Sequence, residues 1–153
     1  MTDAAKTILM NTLKEWTKFT GERDKFSSVA HDVADLARKS VFESVTFLKT
    51  QNIDVEAESA ETMKIMKMPV QIEPIIEANF PNVKVSVIMK CSGAQRMIVI
   101  NPNFSISAGG TVFQYEALKK AIPAAFEANA ADFVRDAFLY IARTGGGKEQ
   151  TAS

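Results

Sequence analysis

The chain has one cysteine and one histidine in 153 residues. A single thiol forbids an internal disulfide. Neither a zinc cage of several thiolates nor a site of two imidazoles can be built from one copy. Net charge is missing too: eighteen Lys and Arg balance eighteen Asp and Glu, so no overall field directs the protein to DNA, a membrane or an anionic substrate. Long apolar runs are absent. The longest uncharged stretch is the nineteen residues 97–115, and Asn101, Pro102, Asn103, Gly109 and Gly110 within it would leave backbone groups unsatisfied in lipid. Asp3, Lys6, Lys14 and Glu15 interrupt the first apolar residues before a signal-peptide core can form. The expected location is therefore the cytoplasm of a cell or of a virus-infected cell, with no membrane attachment.

What remains is 46% apolar and 24% charged, the mix of an ordinary globular domain. In residues 3–20, Ile8, Leu9, Leu13, Trp16 and Phe19 recur at three- and four-residue steps, the period of an amphipathic helix. Gly21 is placed to cap it, since glycine takes the left-handed conformation a C-cap needs. A second helix is predicted from about Arg23 to Leu48, on the face Phe26, Val29, Ala30, Val33, Leu36, Ala37, Val41, Val45 and Leu48. Together they predict a helical hairpin over 1–50.

Residues 51–81 carry six acidic and two basic side chains. Ile53, Val55 and Ala57 alternate with acids, as in a half-exposed strand. Met63–Met68 fits helix or strand equally, and Pro74 suits the start of a short helical turn over Ile75–Asn79, stopped by Pro81. The strongest β pattern follows, at Val83, Val85 and Val87 and again at Met97–Ile100, with Cys91–Gln95 as the hairpin loop. Asn101-Pro102-Asn103 ends the second strand, and a third is expected at Thr111–Tyr115. Residues 116–144 return to helical spacing through Leu118, Ile122, Phe126, Phe133, Ala137 and Tyr140, with Pro123 kinking the helix or starting a new one. Residues 145–153 predict a flexible tail. The expected fold is one α+β domain over 1–144: helical hairpin, small mostly antiparallel sheet over 51–115, and a C-terminal helix packed on the sheet.

Residues with chemistry are few. His31 shares a helix face with Asp35, but two ligands do not make a metal site. Cys91 lacks a paired base. Gly145-Gly146-Gly147-Lys148 follows a helix and continues with Glu149, so it is not a phosphate loop. Neither catalysis nor a cofactor is indicated. Five of the seven methionines, Met63, Met66, Met68, Met89 and Met97, fall within thirty-five residues. Met63, Met66 and Met68, with Phe42 off the main helix stripe beside Arg38 and Lys39, form an expected association surface. Residues 82–108 hold Lys84, Lys90 and Arg96 and no acid, an arrangement that would suit phosphate contacts from a β-ribbon.

The stretches Val83-Lys84-Val85, Arg96 to Pro102, and Ala117 to Ala131 with Pro123-Ala124-Ala125-Phe126 are similar in layout to the YbaB/EbfC family. Those are small dimeric bacterial nucleoid-associated proteins with a helix, a sheet and a terminal helix. The likeness covers fewer than half the residues; the two-helix start and acidic segment 51–81 depart from that plan. It implies nucleic-acid binding. The function expected from the residues themselves is a non-enzymatic interaction or assembly protein acting as a homo-oligomer, its partner being itself or another protein. A nucleic-acid-binding protein using the basic hairpin is the alternative.

Overall fold

The first fifty residues form one helix, not a hairpin. In the computed structural model, which describes residues 1–145, α1 runs unbroken over Asp3–Thr50. The Thr2 side chain caps it, accepting from the Ala5 N–H at 3.2 Å. Gly21 lies in its interior, and the reason is visible in the burial. Phe19 and Phe26, two turns apart on one face, are both buried. Only a continuous helix keeps them on the same side, and an interior glycine costs no more than about 1 kcal/mol. A Cβ added at Gly21 would meet nothing within 4 Å. Gly21→Ala is accordingly expected to raise stability by about 0.5–1 kcal/mol, read from the midpoint of urea unfolding. A loss of stability would count against a straight helix at this point.

Seven antiparallel strands follow in sequence order: β1 (Val55–Ser59), β2 (Thr62–Ile65), β3 (Met68–Asn79), β4 (Asn82–Cys91), β5 (Ala94–Ile100), β6 (Ser105–Ala108) and β7 (Thr111–Gln114). The sheet is larger than the sequence suggested. Met63–Met68 resolves into β2, a two-residue turn and the start of β3. Pro74 and Ile75–Asn79 belong to β3 and not to a helical turn. β2 pairs with β3 only as far as Pro69, so beyond it β3 is an edge strand bonded to β4 alone. The Ile72 carbonyl points away from β4 and accepts from Arg38 Nε and Nη2 of α1, at 3.1 and 2.7 Å. Pro74 has the same parity, so its missing N–H falls on the unpaired side, where a proline is tolerated.

After the sheet come α2 (Tyr115–Lys120) and α3 (Ala124–Thr144). Pro123 starts a new helix: its carbonyl accepts from the Phe126 and Glu127 N–H groups. Gly145, at φ 70°, ends it in the left-handed conformation, donating to the Ile141 carbonyl. The rest of the expected flexible tail lies outside the described residues.

Strand alternation decides the layering. Val85, Val87, Met89 and Cys91 of β4 are buried under the helices, while Lys84, Ser86, Ile88 and Lys90 turn the other way. α1 covers β1, β3 and β4, and α3 lies against α1 and β5. One buried cluster joins Val33, Ala37, Val41 and Val45 of α1 to Val87, Met89, Ile98 and Ile106 of the sheet and Phe126 and Phe133 of α3. The architecture is α+β, with helices on one face of an antiparallel sheet and, among the described residues, nothing on the other.

Candidate association surfaces

Among the described residues three apolar surfaces are left uncovered, and the longest is the first third of α1. Residues 3–18 extend roughly 24 Å at 1.5 Å per residue, and every one of them is exposed or at most half-buried. Ile8 is 66% exposed, Leu9 52%, Leu13 55% and Trp16 47%. The arm meets the body at its base. There Trp16, Phe19 and Phe80, at the tip of the β3–β4 hairpin, cluster with ring centroids 5.2–5.8 Å apart. Sequence periodicity predicts these apolar residues on the first helix of a hairpin; the second helix is instead the continuation of the same rod, and among the described residues nothing covers Ile8, Leu9 and Leu13.

The second surface is the open face of the sheet. Register places Ile75, Ser86 and Val99 in one row, continued by Ser107 and Val112, with Glu73, Ile88 and Met97 in the next. Met97 and Val112 are well exposed. Glu77 faces Lys84 across β3 and β4, so the rim of this apolar strip alternates in charge.

The third is a groove of about 640 Å³ between α1 and α3, lined by Ser40, Phe47 and Leu48 on one side and Ala128, Ala131 and Phe138 on the other. Ser40 is buried and, among the described residues, its Oγ has no hydrogen-bond partner. Phe47 is the strongly exposed phenylalanine of α1.

The residues expected to form an association surface sit elsewhere. Met63 is buried in the core, and Met66, Met68 and Phe42 are half-buried against it. Burial removes Met63 from any contact surface, because β2 turns it under α1. Met66 and Lys67 form the β2–β3 turn with φ 47° and 72°, and the Met66 N–H donates to the Asp54 carbonyl at 2.7 Å.

The three hairpin cations are divided between the two faces of the sheet. Lys84 and Lys90 are exposed on the open face. Arg96 is paired in register with buried Met89 and so lies on the helix face. Its Nε donates to Asp136 Oδ2 of α3 at 2.9 Å, and its Nη1 lies 3.4 Å from Asn129 Oδ1. Burial works to raise the Asp136 carboxyl, but hydrogen bonds and charge from Arg96 and Arg135 outweigh it and hold that carboxyl below its ordinary value. Nor does the hairpin project. β4 is bonded to β3 and β5 to β6, and the turn at Gly93 tucks under the Tyr140 ring.

Cys91 is buried, and burial pushes its thiol up to about 11. It is protonated at neutral pH, with Sγ 3.7 Å from the Met68 carbonyl oxygen. His31 is exposed and its Nδ1 contacts the Ser27 carbonyl, while Asp35 is held by Arg38 at 2.8 Å. Among the described residues no three His, Cys, Asp or Glu converge on a metal position, and no helix is long and apolar enough to cross a membrane.

The fold and its surfaces define an α+β protein with one-sided helices, an exposed helical arm and an open sheet face. No protein-family model, no curated protein and no solved structure matches the chain.

Proposed function

We propose that this is a non-enzymatic association protein that works as a homo-oligomer, with residues 3–18 of α1 as the contact element. One observation carries the reading: a capped helical arm presents Ile8, Leu9, Leu13 and Trp16 to solvent along one side. An isolated helix of this length is marginal in water, because helical stability comes mostly from packing of the apolar face. Covering each of those side chains contributes roughly 1.5–3 kcal/mol. Even after the cost of bringing two molecules together, two such arms hold enough apolar surface for a specific dimer. The basic-hairpin alternative lacks a comparable support, since its three cations are split between the two faces of the sheet and one is bound to Asp136.

Light scattering across a concentration series tests the reading. The expected mass is twice the 16.8 kDa of the chain, or a higher multiple, at micromolar concentration. A mass that stays at one chain up to high micromolar concentration would overturn it.

A further inference from the structure

We infer that the arms of two copies pair with each other, antiparallel, about a two-fold axis near residues 10 and 11. The inference rests on the homo-oligomer reading and specifies its geometry. Within the arm, Ala5, Leu9, Thr12 and Trp16 follow one another at steps of four, three and four. That is the spacing of a two-stranded coiled-coil seam, in which successive layers of side chains meet across the interface. Two orientations are open to such a seam. Run parallel, each layer holds two copies of one residue: Trp16 stacks on Trp16, and Ala5 opposite Ala5 leaves a gap. Run antiparallel, so that facing residues sum to 21, the layers become Ala5 with Trp16 and Leu9 with Thr12, and the seam stops there because Phe19 is already buried against Phe80. Every layer then joins a large side chain to a small one, which fills space evenly along the seam. Ile8 and Leu13, on the two flanks, cover the methylene stems of the partner's Glu15 and Lys6.

The base of the arm supplies a second, independent feature. Glu15, Lys18, Phe19, Glu22, Phe80 and Pro81 enclose a hollow of about 300 Å³ there. Glu15 and Glu22 form no ion pair among the described residues. The antiparallel register brings the first turn of the partner's α1 to this hollow. That turn carries the positive end of the helix dipole, which favours the Glu15 and Glu22 carboxylates, and its one acid, Asp3, comes level with Lys18 of the same hollow. A closed two-fold contact uses both arms and both hollows once, so it stops at a dimer.

Cysteine cross-linking on the full chain decides between the orientations, because native Cys91 is enclosed in the core. Ala5→Cys protein and Trp16→Cys protein are each oxidised alone and then as an equimolar mixture, after circular dichroism has confirmed that both fold. The expected result is a disulfide-linked dimer at least about tenfold more abundant in the mixture than in either protein alone, since Ala5 and its own copy lie roughly 16 Å apart along the antiparallel axis. Ile8→Cys with Glu15→Cys is a second pair on the flank that leaves Trp16 in place, and it should behave the same way. Efficient cross-linking of Ala5→Cys with itself would overturn the antiparallel arrangement while leaving the homo-oligomer standing. A dimer by light scattering that cross-links at neither pair would place the contact outside the arm and overturn the inference. A wild-type monomer would remove both the inference and the reading beneath it.

Discussion

A chain that begins at Lys18 is expected to lose self-association by at least about a hundredfold while keeping its fold. The two halves of that result have separate causes. Ile8, Leu9, Leu13 and Trp16 are the apolar side chains of the arm, and each tenfold of affinity corresponds to about 1.4 kcal/mol, so losing two well-covered residues from each copy already exceeds the stated factor. The fold should persist because the buried positions of α1 run from Phe19 to Val45. Of the aromatic contacts at its base, the truncation removes those of Trp16 with Phe19 and Phe80. Sedimentation velocity compared with thermal unfolding separates the effects. A truncated protein that still dimerises would move the contact to the open sheet face or to the groove beside Phe47.

Phe133→Ala is expected to cost about 3–5 kcal/mol of stability, lowering the thermal midpoint by about 10 °C. Phe133 has no exposed surface and sits on α3 within the one cluster that ties both long helices to the sheet. That cluster is poorly able to close a void: its α1 members include Ala30, Ala34 and Ala37, short side chains on a rigid rod, and its strands are fixed by their ladder. The lost transfer free energy and the cavity therefore add. Thermal or urea unfolding monitored by far-ultraviolet dichroism reads the change. A loss below about 1 kcal/mol would show that α3 can shift to fill the space.

Fold class was legible because periodicity is a local property of the chain. Val83, Val85 and Val87 alternate as a strand must, and Phe126, Phe133 and Ala137 recur as a buried helix face must. The turns were less legible where their chemistry is atypical. Met66 and Lys67 adopt positive φ at a two-residue turn without the Asn or Gly that marks such turns, so β2 and the start of β3 read as ambiguous. Pro74 read as a helix start because its tolerance in a strand depends on β3 lacking a neighbour on one side, a fact about pairing that sequence does not carry. Arg96 read as a free cation for the same kind of reason. Its partner Asp136 lies forty residues away and becomes one only when α3 is laid across β5.

Residue order by itself determined the amphipathic periods, the α+β alternation, the absence of a thiolate cage and the balance of charge. Each of these depends on neighbours within a few positions, or on composition alone. Tertiary structure alone decided which apolar faces are covered. The stripe from Ile8 to Phe19 and the stripe from Phe26 to Val45 are alike in spacing, yet the sheet lies under the second and ends at the hairpin tip beneath Phe19. A helix rises 1.5 Å per residue and carries its face as far as its residues continue. The sheet reaches only as far as its hairpins do, and this difference in length leaves the arm uncovered.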